Sequence, residues 1–169
     1  KIVAVPYKGD LDIYKRGFLK VSDTGRYLTY ADGTPFFYLG DTHWILPHER
    51  FTASNVPGVE SQFKYTVDKR VSQGFTVFQS EPIWQPHGGD HSGPDEEAAA
   101  NLSDGFSEAD LDGFRNLDRK FQYIADRGLV HANAMITWAL DPANYPVYTE
   151  EYMYTLARYW GARYGAYPV

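Results

Sequence analysis

Three short stretches bring together side chains suited to polar chemistry at a concave surface. Asp41, His43 and Trp44 follow the apolar run Phe36–Gly40. Gln79, Glu81 and Trp84 lie at and beyond the end of Phe75–Gln79. Thr137 and Trp138 close the run Leu129–Ile136. Carboxylates, an amide and an imidazole can hydrogen-bond hydroxyl groups, and an indole offers a flat apolar face with a polar tip. Together they suit a sugar ring. The competing reading of Asp41 and Glu81 is that each caps the segment after it or pairs with a basic residue.

Other chemistries have less support. Asp41 and Glu81 could be the paired carboxylates of a glycosidase, but the sequence does not set their separation. His87, Asp90 and His91 have a spacing that could hold a metal, yet in a glycine-rich loop such residues more often face solvent. No metal and no cofactor are assigned. His131 falls in mid-strand and reads as an interior histidine. The chain has no cysteine, which excludes thiol catalysis, disulfides and cysteine-based zinc sites. There is no G-x-S-x-G elbow, and the first strand–helix turn lacks a G-x-G-x-x-G or Walker lysine loop.

Composition narrows the partners. The 169 residues include 16 basic and 22 acidic side chains, a net charge of −6, which argues against a phosphate-backbone partner. The apolar stretches are short and interrupted, so none is expected to span a bilayer. With 14 Tyr, 10 Phe and 4 Trp the chain can bury a core and still spare aromatic faces for a ligand.

The elements that must position these residues follow from pattern. Asp23-Thr24-Gly25 and Asp32-Gly33 bracket an alternating run and predict a β-hairpin. Phe36–Gly40, apolar on both faces, predicts a buried parallel strand. Phe63, Val67 and Val71 recur at helical spacing, and Gln73-Gly74 stops that helix. Phe75–Gln79 predicts the next strand. Ile83–Ser107 is long and irregular and reads as a functional loop. Ser107 to Asp110 starts a second helix, carrying Phe114, Leu117, Phe121 and Ile124, that ends at Arg127-Gly128. Leu129–Ile136 is a third strand, Thr149-Glu-Glu151 caps a third helix, and Gly165–Val169 leads toward a fourth strand.

Strand–helix units in this order predict a parallel sheet with helices outside. Polar and aromatic residues at every strand end favour a (β/α)8 barrel over an open doubly wound sheet. Such a barrel takes about 250 residues. The expectation is therefore an N-terminal extension over 1–16 and the N-terminal part of a barrel over 17–169, with the remainder beyond Val169.

The run Gly25-Arg-Tyr-Leu-Thr-Tyr-Ala-Asp-Gly-Thr-Pro-Phe-Phe-Tyr-Leu-Gly-Asp-Thr-His-Trp44 resembles the opening of the apiosidase-like glycoside hydrolase domain. Gly74-Phe75, Arg127-Gly128-Leu129, Thr137-Trp138 and Arg163–Val169 agree with it in order. The resemblance implies a retaining-type (β/α)8 glycosidase acting on plant or microbial polysaccharide. Its acid/base and nucleophile would follow strands four and seven, beyond Val169. It further implies substrate contacts at Asp41, His43 and Trp44 by motif, and at Gln79, Glu81, Trp84 and Trp138 by position. The long loop after the second strand departs from many relatives.

The expected function is hydrolysis of a glycosidic bond by two carboxylates. The alternative is a non-catalytic carbohydrate-binding protein on the same scaffold. The expected partners are an oligosaccharide or polysaccharide and the rest of the barrel, without nucleic acid or a membrane span. A polymeric substrate implies a secreted or periplasmic location.

Overall fold

The computed structural model describes residue 3 and residues 5–82, 108–133 and 149–168. A short helix, α1 (Asp12–Lys15), precedes an antiparallel pair, β1 (Lys20–Val21) and β2 (Leu28–Thr29). Gly25 and Gly33 take positive φ, as the two turns of this hairpin region require. Next come β3 (Gly40–Thr42), α2 (Gln62–Ser72), β4 (Val77–Ser80), α3 (Glu108–Asp126), β5 (Val130–Asn133) and α4 (Glu150–Tyr164). The strands β3, β4 and β5 form a parallel sheet in chain order.

Local chemistry sets the helix ends. The Ser61 hydroxyl accepts from the Lys64 amide at 3.1 Å and caps α2, and Thr149 accepts from the Tyr152 amide at 3.2 Å at the start of α4. Gly74 and Gly128, both at positive φ, end α2 and α3 and turn the chain into β4 and β5.

The first strand differs from its prediction. Aromatic residues suggested a strand over Phe36–Gly40, but β3 spans Gly40–Thr42. Phe36 is buried against the hairpin, whereas Phe37 is 73% exposed. The Thr76 hydroxyl binds the Phe37 carbonyl at 2.7 Å, so a side chain occupies the place of a ladder bond there. Regular pairing starts only at Gly40 opposite Val77.

Packing is layered. On one face of the sheet Phe78 joins Phe63 and Val67 of α2 and Ile124 of α3. On the other face Val77 and Val130 pack against Phe36 and Ile13, so α1 belongs to this core. Each such buried side chain contributes about 1.5–3 kcal/mol. Helices α3 and α4 join through Phe114, Leu117, Phe121, Leu156 and Tyr164. Arg163 clamps Asp118 with two bonds, of 2.8 and 2.5 Å.

Strand order, together with helices α2 and α3 on one side only, identifies a barrel segment. A doubly wound sheet reverses strand order and carries helices on both faces. The chain after α4 comes back beside β5, where the His131 amide donates to the Pro168 carbonyl at 2.9 Å. Pro168 thus lies against β5, where the sequence leads toward a fourth strand. These elements are a hairpin and the opening strand–helix units of a (β/α)8 barrel.

Candidate functional site

Register decides which strand residues face the barrel interior. Asp41 stands opposite Phe78, and Phe78 opposite His131; Thr42 stands opposite Gln79, and Gln79 opposite Ala132. Phe78 packs on α2 and α3, and the His131 ring meets Phe121 of α3 edge-on at 4.6 Å. The Asp41 row therefore faces the helices. Successive strand residues alternate sides, so the row of Thr42, Gln79 and Ala132 faces inward.

On the inner row the Thr42 hydroxyl donates to Gln79 Oε1 at 3.2 Å. The ladder then continues past the strand ends. The His43 amide donates to the Gln79 carbonyl and the Glu81 amide to the Trp44 carbonyl, each at 2.9 Å. These bonds bring His43, Trp44, Gln79 and Glu81 into one neighbourhood. Trp44 is 45% exposed, a large apolar face left open at a strand end, while Glu81 is 4% exposed. His43 Nε2 lies 3.4 Å from a Glu49 carboxylate oxygen.

Asp41 is placed differently from its neighbours in the motif. Arg70 of α2 donates from Nε to its carboxylate at 2.6 Å. Its side chain thus ties strand to helix on the face away from Thr42 and Gln79. The motif groups Asp41 with His43 and Trp44 at one strand end; the alternation of β3 sets its side chain on the Arg70 side.

The loop after β3 is held by two buried polar groups that sequence reasoning did not single out. Lys120 of α3 is fully buried, and its ammonium donates to the Pro47 carbonyl at 2.7 Å. His48 is buried, with Nε2 3.3 Å from the Glu81 carbonyl. Burial, reinforced by the Lys120 charge, pushes the His48 pKa down to about 4. The ring is then neutral at pH 7, and because a carbonyl only accepts, the proton sits on Nε2. A turn at Leu46–His48, just after Trp44, is thereby fixed to both α3 and the end of β4. A lysine three residues from Leu117 and six from Phe114, on the apolar stripe of α3, was the available signal for Lys120.

His131 is an interior residue, as its mid-strand position suggested. It is 2% exposed, burial pushes its pKa down to about 3, and Nε2 bonds the buried Ser80 hydroxyl. Its Nδ1 has no partner among the described residues. Trp84, His87, Asp90, His91, Thr137 and Trp138 lie outside the described residues. Among the described residues no group of three or more His, Asp or Glu is placed to hold a metal ion, and no helix is long and apolar enough to cross a membrane.

A family model described as "Apiosidase-like, catalytic domain" matches residues 22–169. A solved structure titled "Glycoside hydrolase" superposes with a TM-score of 0.67 at 23% identity, covering 95% of this chain and 34% of its own. A glycoside hydrolase family 5 structure from Bacteroides vulgatus superposes with a TM-score of 0.66 at 22% identity, covering 92% of this chain and 31% of its own. The chain thus spans about a third of the length of these solved structures. No curated protein matches the sequence.

Proposed function

Since the chain belongs to the apiosidase-like catalytic domain family, we propose that it is the front part of a glycoside hydrolase that cleaves a glycosidic bond in a plant or microbial polysaccharide. The bond is broken by two carboxylates, one acid/base and one nucleophile, carried by strands that follow residue 169. The observation that carries the reading is the half-exposed Trp44 beside inward-facing Gln79, at the strand ends of a chain matched by this family over residues 22–169.

In this proposal Trp44 stacks on a sugar face and Gln79 bonds hydroxyls. His43 and Glu81 line the same rim, joined by Trp84 and Trp138. Asp41 supports the rim from behind through Arg70. Contacts of this kind accelerate the reaction to the extent that they strengthen in the transition state. Residues 1–16 are an N-terminal extension of the barrel segment 17–169, joined to it through Ile13, and a polymeric substrate implies a secreted or periplasmic location.

The test uses the full-length protein against soluble xylan, arabinan, galactan, glucan and homogalacturonan, with nitrophenyl glycosides including the apioside. Cleavage of at least one is expected. Trp44→Ala should raise KM about tenfold, the equivalent of about 1.4 kcal/mol, with the fold intact by circular dichroism. Binding of these glycans without release of reducing ends would point instead to the non-catalytic reading.

A further inference from the structure

We infer that Lys120 of α3 is a positioning residue for the saccharide site: its buried ammonium holds the turn Leu46–His48 through the Pro47 carbonyl and so sets where Trp44 stands at the strand ends. The inference rests on the reading of Trp44 as a sugar platform and deepens it by naming what holds that platform in place. Lys120 is fully buried, three residues after Leu117 and four before Ile124, on the stripe of α3 that these residues bury. Its Nζ donates to the Pro47 carbonyl at 2.7 Å and lies 5.9 Å from the centre of the Phe63 ring. Residues that complete the barrel can only add to this burial, so the contact does not depend on how much of the barrel surrounds it.

Stability does not account for a lysine here. Taking an ammonium out of water is costly, and an apolar side chain of similar length at such a position is often neutral or stabilising. What the ammonium adds is a strong, directed bond to one carbonyl. Leu46 packs in the same core, but apolar contact is non-directional and does not fix the rotation of the turn. The turn itself is tight: the Leu46 amide donates to the His43 carbonyl at 3.0 Å and the His48 amide to the Ile45 carbonyl at 2.9 Å. Trp44 lies within this span, so a displacement of Pro47 reaches it within three residues. The opposite side is tied to the end of β4. There the Glu81 amide donates to the Trp44 carbonyl at 2.9 Å, and the Glu81 carbonyl accepts from His48 Nε2 at 3.3 Å. The Trp44 main chain is thus gripped between β4 and α3, and Lys120 supplies the directed bond on the α3 side.

The experiment measures kcat, KM and the melting temperature of the full-length protein, on whichever of the named substrates it cleaves, for Lys120→Met, Trp44→Ala and the double variant. Lys120→Met keeps the apolar stem and removes the charge and the bond. KM is expected to rise about fivefold with kcat within about twofold of the parent, and the melting temperature should stay within about 4 °C. Trp44→Ala should raise KM about tenfold. The double variant should be no worse than Trp44→Ala, because the lysine acts through the indole. Losses that add, a loss confined to kcat, or a Lys120→Met protein that melts well below the parent or fails to fold each overturn the inference. A parent that cleaves none of the substrates overturns the glycosidase reading itself, whereas a parent that cleaves, and whose KM rises with Trp44→Ala but not with Lys120→Met, overturns only the role of Lys120.

Discussion

The two faces of the parallel sheet carry different kinds of residue at the same height. On the helix side Phe78 is sealed between α2 and α3, Ser80 bonds His131, and Asp41 is held by Arg70 at 2.6 Å. On the inner side Thr42 and Gln79 share one bond and Ala132 adds little bulk. At this height one face carries buried and paired groups, and the other carries a short polar row. The difference shows how neighbouring residues of one strand divide their work. Burial on the helix side supplies stability, and in the proposed function the inward residues are the ones that meet the saccharide. The loop that follows β3 repeats the division, with Lys120 and His48 buried beneath it and Trp44 exposed.

The largest expected effect comes from exchanging the burden of two adjacent residues. Phe78→Ala should cost about 3–5 kcal/mol of stability, because a fully buried ring leaves a cavity between sheet and helices. Gln79→Ala should cost less than about 0.5 kcal/mol while impairing saccharide binding. Urea unfolding of both variants measures the contrast, and equal losses would erase the distinction between the faces.

A second expectation concerns acid. His48 and His131 ordinarily titrate near 6.5, but burial holds them at about 4 and about 3 in the folded protein. Above pH 6.5 both states are neutral at these rings and the contribution is constant. As pH falls below 6.5 the unfolded chain binds protons that the folded chain does not. Stability is then lost at up to about 1.4 kcal/mol per pH unit for each ring, until the folded rings titrate in turn. The urea midpoint should therefore drop between pH 7 and pH 5, and His131→Gln should reduce the drop. Equal midpoints at the two pH values, with His48 and His131 both present, would contradict the burial of these rings.

The smallest effect sharpens the place of Asp41. Its pair with Arg70 is partly exposed, so Asp41→Asn should cost about 1 kcal/mol. A double-mutant cycle with Arg70→Met should show coupling of similar size, and kcat/KM should change little. A large loss of activity without loss of stability would move Asp41 into the substrate-binding set.

Much of the fold was legible in the sequence because helices announce themselves locally. The spacing of Phe63 and Val67, the caps at Ser61 and Thr149, and the stops at Gly74 and Gly128 depend on residues within one or two turns. Alternating strand and helix signals were enough to order the elements, and the run from Gly25 to Trp44 carried the family resemblance. Strand ends could likewise be read as the places where polar and aromatic residues gather.

Which face each of those residues takes was decided by the tertiary structure. A shift of one residue in a strand exchanges its two sides, and the register of β3 is set by pairing with β4, Gly40 opposite Val77. That register turns Asp41 toward Arg70 and Thr42 toward Gln79. The burial of Lys120 beneath Pro47 joins residues 73 apart. Sequence alone determined the composition and order of this protein, because propensity and periodicity are local. The orientation of its site was left to packing between distant segments, because pairing register and buried polar partners exist only once those segments meet.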